Sequence, residues 1–363
     1  SWATPLVAVL ATMLAGGLLF GVLGTDPVVA IRTIFWDPVF GEFAFYYRGQ
    51  LLVKAGPLIL IAVGLALGFR AGIWNIGAEG QYIMGALAAA AAGYYLKLPM
   101  VLHVFAAVGL AVIVAGVWGG LAGWFKARFG VNEVISTIML NWTALYISNW
   151  AITIESFGRQ GTGKTYAIQP TAHIDILGQW KRTPEGIAFL REHPMLWDIL
   201  KSPINLGFIF ALMLAALVWY ILNKTTLGYE LRAVGHNPQA AEAGGISVKR
   251  SMVISMLIAG GLAGAAGAFQ VLGVSHRIAT LAIMEGYGFD GIAVSLIGNN
   301  SGPGCVFAGL LFGSLKYGGS KIQDVMGAPT EVINIMIGII IFFVAMPKLI
   351  RMILAYRKRR EQS

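Results

Sequence analysis

Long apolar stretches recur along the whole of this 363-residue chain, separated by short polar segments. A stretch of about 17–25 apolar residues can cross the hydrocarbon core of a bilayer as a helix. Charged residues make up only 12% of the chain, far fewer than in soluble domains. The sequence therefore predicts an all-α integral membrane protein in which no polar segment is long enough to form a separate soluble domain.

Ten stretches are candidate transmembrane helices: 5–23, 51–69, 76–96, 101–125, 134–154, 204–222, 252–274, 281–297, 306–322 and 332–346. We predict one transmembrane domain over 1–363, a bundle of about ten helices with broken or short helices near the midplane. The first span is expected to be retained, because it lacks an obvious cleavage site of small residues.

Basic residues at the ends of the spans predict the orientation of the chain. Starting from a cytoplasmic C-terminus rich in basic residues (357–360), alternation of ten spans places the other basic clusters on the same side, as the positive-inside rule requires. We therefore predict that both termini are cytoplasmic. The segment 155–203 becomes an external loop, and 223–250 becomes a cytoplasmic coupling loop.

The net charge of +9 is explained by this orientation and not by nucleic acid, because the basic residues lack interleaved aromatic residues. Cys305 is the single cysteine, which excludes an internal disulfide and a multi-cysteine metal site. No metal and no cofactor are expected.

Glycines four residues apart, such as Gly116 with Gly120 and Gly260 with Gly264, predict helices that pack closely in lipid.

Residues 226–250 form a polar island between two apolar spans. Asn237 suits an N-cap, Pro238 suits the first helical turn, and Gly244 with Gly245 can end the helix. The pattern predicts a helix of two turns, which is marginal alone in water. It is either an ordinary connector or a helix held between this protein and a partner.

Residues 158–165 (GRQGTGKT) match the pattern of a phosphate-binding loop. A working loop of this kind follows a buried strand and opens a helix, whereas here an apolar span precedes it and 166–170 lacks a helical pattern. The segment 155–203 is also too short for a nucleotide-hydrolysing domain. We interpret the match as a coincidence. If this protein uses ATP, another chain binds it, and replacing Lys164 is expected to leave transport almost unchanged.

Two segments place polar residues at membrane depth, where they usually face a cavity or a partner. The first, 70–81, contains Asn75, Glu79 and Gln81; on a regular helix Asn75, Glu79 and Tyr82 would share one face. The alternative is a cytoplasmic turn with a hydrated Glu79. The second segment, 285–300, is a span so short that it is either a half-helix or a tilted helix. The predicted substrate path consists of Asn75, Glu79, Gln81, Tyr82, Asn141, Phe289 and Asp290.

Three segments carry a resemblance to a known family: RAGIWNIGAEGQ (70–81), TTLGYELRAVGHNPQAAEAGGI (225–246) and GYGFDGIAVSLIGNNSGPG (286–304). In this order they resemble permease subunits of bacterial ABC importers, in the branched-chain amino acid, ribose and simple-sugar permease superfamily. WNIGAEGQ is most similar to the nucleoside and simple-sugar branch.

The resemblance implies a second, related permease chain, a cytoplasmic ATP-binding subunit, an external substrate-binding lipoprotein and surrounding membrane lipid. It implies that the cytoplasmic loop couples to the ATPase through these residues: Gly228, Glu230, Arg232, Gly235, Asn237, Pro238, Ala241, Gly244 and Ile246. A nucleoside is the expected solute, and a pentose is the alternative. An ion-coupled carrier would use Glu79 and Asp290 but leaves the polar helix unexplained, and an intramembrane enzyme lacks a nucleophile and base pair.

Overall fold

A computed structural model of the chain describes residues 17–18, 20–22, 24, 26–41, 44–178, 180–327, 331, 334–335 and 338–339. Most of the first and last predicted spans, and the basic residues at 357–360, lie outside the described residues. The described part is mostly helical, as the sequence predicts.

The helices of the described part, in chain order, are α1 (Pro27–Ile31), α2 (Asp37–Phe40), α3 (Ala44–Arg70), α4 (Ala78–Tyr95), α5 (Met100–Phe129), α6 (Glu133–Ile152), α7 (Pro184–Glu192), α8 (Pro194–Lys201), α9 (Gly207–Lys224), α10 (Thr226–His236), α11 (Pro238–Ala243), α12 (Val248–Gln270), α13 (Tyr287–Ile297) and α14 (Gly302–Met326). Two strands, β1 (Gly158–Arg159) and β2 (Lys164–Thr165), pair antiparallel. Wide π-helical turns lie at Arg32–Trp36 and Val271–Ser275, and 3₁₀ turns lie at Pro170–Ala172 and Trp180–Arg182.

Four helices of the described part are long and apolar enough to cross a membrane: Phe45–Arg70, Met100–Phe129, Gly207–Lys224 and Val248–Ser275. Helices also occupy the predicted spans 76–96, 134–154 and 306–322. In the predicted span 281–297, the helix α13 covers only Tyr287–Ile297, about 16 Å at 1.5 Å per residue. This is half of a hydrocarbon core, so the structure agrees with the half-helix, one of the two alternatives expected for this short span.

Helix α12 is the central helix, packed against α3, α4 and α5. Its glycines allow this contact, because a Cβ added at Gly260 would lie 2.4 Å from the backbone oxygen of Ala115 and one at Gly264 would lie 2.6 Å from the backbone oxygen of Ala111. Close approach of backbones is how helices associate in lipid, where apolar side chains gain little from contact with one another. The packing role predicted for these glycines is confirmed.

The helices define two ends of the molecule. Helices α5 and α12 run antiparallel, with Gly123 against Val253 and Gly264 against Ala111. The C-terminus of α5 and the N-terminus of α12, with their basic residues, therefore lie together at what we call the basic end. At the opposite end, the hairpin end, residues 155–178 bond to the chain that follows α12: Thr165 N–H donates to Ile278 O at 2.9 Å and Ile174 N–H to Leu272 O at 3.1 Å.

Candidate functional site

The site begins where the chain breaks between α3 and α4. Gly72 adopts a positive φ of 76° and ends α3, and the N–H of Ile73 donates back to Gly68 O at 3.0 Å. This closure is a common glycine C-cap. The chain then runs without helical structure to Gly77, and α4 begins at Ala78. The expectation that Asn75, Glu79 and Tyr82 share one face of a regular helix is therefore wrong, because Asn75 precedes the helix.

Three of the predicted path residues form what we call the closed polar cluster: Asn75, Gln81 and Asn141. The amides of Asn75 and Gln81 bond to each other in both directions, at 2.9 and 3.1 Å. Asn141 on α6 accepts from Gly80 N–H at 2.7 Å and donates to Ile76 O at 2.9 Å. Each of the three side chains is about 1% exposed. Their hydrogen bonds fix the irregular segment before α4 in place.

Glu79 meets the N-terminus of the half-helix α13. Its two carboxylate oxygens accept from Gly286 N–H at 2.8 Å and Gly288 N–H at 2.5 Å, and the residue is 0% exposed. A carboxylate is stabilised there by unpaired N–H groups and by the helix dipole. A Cβ at Gly288 would lie 2.2 Å from the Glu79 nitrogen, so glycine allows the two segments to meet. The hydrated cytoplasmic turn considered for Glu79 does not fit this burial.

More charged and hydroxyl groups surround the start of α13. Tyr82 donates its hydroxyl to Glu285 at 3.0 Å, and Lys54 donates to the hydroxyl of Tyr287 at 3.3 Å. Asp290, one turn into the half-helix, forms an ion pair with Lys316 of α14. Phe289, also predicted for the path, is 42% exposed, in contrast to the buried Glu79. The predicted acidic residues are therefore brought together, with cations that the sequence analysis did not single out.

A cavity of about 370 Å³ lies beside this network, at the hairpin end. Tyr82 is the predicted path residue that lines it. We call its polar wall the cavity lining: Tyr82, Ser148, Lys164, Gln270, Ser275, Arg277 and Glu285. Apolar side chains, including Ile83, Val271 and Leu281, complete the wall. A mixed wall of this size, with a few polar groups on an apolar surface, is typical of small-molecule sites.

Sequence reasoning missed most of the cavity lining for a physical reason. Arg277 and Glu285 lie in the non-helical chain between α12 and α13; Arg277 was predicted between two spans and Glu285 within the span 281–297. Lys164 lies in the hairpin of β1 and β2, where Gly161 and Gly163 adopt positive φ angles. A strand and not a helix follows that loop, which agrees with the rejection of a phosphate-binding loop. Because Lys164 lines the cavity, uptake by a Lys164→Ala variant is a direct test of the prediction that this residue is neutral in transport.

The coupling segment lies at the basic end. As predicted, Asn237 caps α11 by accepting from Ala240 N–H at 3.1 Å, Pro238 begins the helix and Gly244 follows its end. A second helix, α10, precedes it and contains Gly228, Glu230, Arg232 and Gly235, and Ile246 closes the turn after α11 by donating its N–H to Ala241 O at 3.0 Å.

Four residues of the coupling segment are buried: Gly228, Leu231, Val234 and Ala241. Gly228 and Ala241 were expected to contact an ATPase, but both pack inside their own chain, whereas Gln239, Ala240 and Glu242 are exposed. Gly235 is backbone-packed on the end of α3, because a Cβ there would lie 2.1 Å from Arg70 O. The coupling segment thus touches the turn that leads to Asn75 and Glu79.

Three features define a multi-pass membrane transport protein. They are a bundle of apolar helices, a half-helix whose N-terminus lies beside the buried carboxylate of Glu79, and a cavity with polar walls. Residues 47–345 match the family model described as branched-chain amino acid transport system / permease component. The chain belongs to this family, as its three segments indicated. Its members are transport subunits and not enzymes, and they work in systems with a separate ATP-binding subunit and a substrate-binding protein.

Similar proteins cover nearly the whole chain. The guanosine ABC transporter permease protein NupP of Bacillus subtilis is 39% identical over 98% of this chain and 96% of its own length. The nucleoside ABC transporter permease protein NupB of Lactococcus lactis is 31% identical over 99% and 94%. The glucose ABC transporter permease protein TsgB13 of Haloferax volcanii is 30% identical over 94% and 87%. No solved structure matches the chain significantly.

Proposed function

We propose that this chain is the permease subunit of a nucleoside importer and that the solute passes through the cavity at the hairpin end. The similarity to guanosine and nucleoside permeases supports a nucleoside. The observation that carries the proposal is the cavity lining, which offers donors, acceptors and apolar surface together. Ribose hydroxyls and base edges need such donors and acceptors, and the flat face of a base needs apolar surface.

The predicted path residues take two roles in this proposal. Tyr82 lines the route directly, and its bond to Glu285 holds that carboxylate at the cavity wall. Glu79 and Asp290 hold the half-helix, through its N–H groups and through Lys316. Asn75, Gln81 and Asn141 position the broken segment without touching the solute, and Phe289 contacts lipid or a partner chain.

Coupling of the ATPase to the solute path follows from contacts at both ends of the broken segment between α3 and α4. The exposed face of α11 docks on the ATP-binding subunit, and Gly235 transmits its movement to the backbone at Arg70 and Gly72. From there the chain continues through the closed polar cluster to Glu79 and the half-helix. Movement of the ATPase thereby reaches the wall of the path through contacts between backbones, which deform little.

The assembly and its location complete the proposal. The chain 1–363 acts as one transmembrane domain of the inner membrane, paired with a second, related permease chain and supplied by an external lipoprotein that binds the solute. The basic end faces the cytoplasm together with both termini, because basic residues stay on that side. Cysteines placed at Arg159 and Gln239, with Cys305 replaced by Ser, should react with impermeant reagent from opposite sides. Reaction from the same side contradicts this orientation.

Uptake competition tests the solute. Cells that express the whole transporter take up labelled guanosine, and unlabelled nucleosides or monosaccharides are added in excess. We expect nucleosides to compete and glucose and pentoses not to compete. The similarity to a glucose permease makes sugar the second candidate, so uptake of labelled glucose or pentose without uptake of labelled guanosine overturns the nucleoside assignment.

A further inference from the structure

Two histidines and an aspartate meet at the hairpin end, outside the cavity. His173 and Asp175 follow the 3₁₀ turn Pro170–Ala172, and His276 follows the π-helical turn Val271–Ser275. The two imidazole rings stack with centroids 4.0 Å apart. One potential ligand atom from each of the three residues lies within 4.8 Å of the other two.

Three polar atoms of this cluster lack hydrogen-bond partners, although the Oδ1 of Asp175 lies 3.6 Å from the Nδ1 of His173. The Nε2 of His173, the Nδ1 of His276 and the Oδ1 of Asp175 are buried without any hydrogen bond. Buried polar atoms in native proteins nearly always have a partner, which can be an ion. The nearby cation Lys181 is directed elsewhere, since its Nζ donates to Leu200 O at 2.9 Å.

The backbone at His276 supports a functional role. His276 adopts a positive φ of 52°, in the left-handed region that side chains other than glycine and asparagine rarely occupy. Such conformations are kept where the surroundings require them, often at ligand sites. Here the conformation brings an imidazole from the end of α12 against the external segment.

We propose that His173, Asp175 and His276 bind one divalent transition-metal ion, with Zn²⁺ as the best fit. Two imidazoles and a carboxylate are a Zn²⁺ donor set, and three protein ligands leave a fourth position for water. Ca²⁺ and Mg²⁺ prefer shells of oxygen atoms, which this cluster does not offer. Metal–ligand distances of about 2.0–2.2 Å place tetrahedral ligand atoms about 3.4 Å apart, so small side-chain rotations bring the three ligands into place.

The protonation state of the imidazoles agrees with this assignment. Burial lowers the pKa of His173 and also that of His276, whose pKa the neighbouring His173 lowers further. Asp175 acts in the opposite direction on both, and Arg182 adds to the lowering. Neutral imidazole is the form that binds a metal, so the direction of both shifts is compatible with the geometric argument above.

The bound ion would fasten the external segment to the wall of the cavity. The backbone already joins the two segments, because Ile168 N–H donates to His276 O at 3.0 Å. Ser275 and Arg277, on either side of His276, belong to the cavity lining. The ion thus braces the lining from behind, without contact with the solute.

Calorimetric titration of the purified full-length chain in detergent with ZnCl₂ tests the proposal, and Co²⁺ absorbance serves as a second probe. We expect one ion per chain. His173→Ala and His276→Asn should each raise the Kd at least about tenfold, since losing even an outer hydrogen bond to a metal ligand costs about 10–100-fold. Asparagine at position 276 keeps a residue that tolerates the left-handed backbone.

The matched control is His193→Ala, an exposed histidine of the same external segment whose Nδ1 contacts Phe189 O at 2.9 Å. It should bind Zn²⁺ like the unaltered chain. Absence of saturable binding overturns the proposal, and so does binding that survives both His173→Ala and His276→Asn. Because the readout is metal binding, either result leaves the transport assignment standing.

Discussion

The closed polar cluster and the cavity lining both include residues of α4 and α6, but they differ in what remains for a ligand. In the closed polar cluster, the side-chain amides of Asn75, Gln81 and Asn141 bond to one another or to backbone, and almost no surface is exposed. In the cavity lining, Lys164 and Arg277 are exposed to the cavity. The difference teaches that a polar residue in a membrane helix can serve architecture as fully as transport. Burial and partners distinguish the two roles.

Gly288→Ala should have the largest effect, because it separates the two segments on which both regions depend. The added Cβ would lie 2.2 Å from backbone of α4, which cannot move aside as a side chain can. We expect a cost at or above the upper end of about 1–3 kcal/mol for overpacking, and loss of folded protein. Size-exclusion profiles in detergent measure it. Gly109→Ala, with open space around the new Cβ, is the control, and a normally folded Gly288→Ala contradicts the tight half-helix contact.

Asn141→Leu tests the architectural role of the closed polar cluster. The substitution leaves Gly80 N–H and Ile76 O buried without partners. Each unpaired group lowers the free energy of unfolding by about 1–3 kcal/mol. We expect a lower unfolding temperature, with uptake that falls only in proportion to the folded protein. Asn223→Leu, at an exposed position of α9, should change little. If Asn141→Leu folds normally but abolishes uptake, the residue belongs to the path and the comparison fails.

Glu285→Gln tests the cavity lining, where we expect uptake and not stability to change. Glutamine keeps an acceptor for the Tyr82 hydroxyl but removes the charge. A hydrogen bond to a charged group contributes about 1.5–3 kcal/mol, so the maximal uptake rate should fall about tenfold with unchanged folding. The solute concentration that gives half-maximal uptake should stay the same, because an external protein captures the solute. Glu155→Gln, exposed at the same end, is the control. A loss of stability without a specific loss of uptake assigns Glu285 to architecture.

The smallest effect on the chain itself is expected from Ala240→Trp in α11. Ala240 is exposed and Ala241 is buried, although the two are neighbours. Ala240→Trp should leave the chain folded and weaken its association with the ATP-binding subunit, measured by co-purification. Ala241→Trp should reduce folded chain instead. Equal association of the Ala240→Trp variant with the ATP-binding subunit excludes this face as the docking surface.

Much of the architecture could be predicted because its causes are local. Apolar length predicts the helices, glycines four residues apart predict their contacts, and the sequence Asn237–Pro238 predicts a capped helix that the structure contains. Each depends on residues within a few turns of one another. The family, too, is visible in three short segments.

The sequence by itself therefore determined that this chain is a helical membrane permease, where most of its helices lie and how its coupling segment begins. Only the tertiary structure decided which polar residues are closed off and which line a cavity. Glu79 meets Gly288, Asp290 meets Lys316 and His173 meets His276 across long stretches of chain. Such contacts depend on how separate helices pack, and no local pattern encodes the distance between residues that only packing brings together.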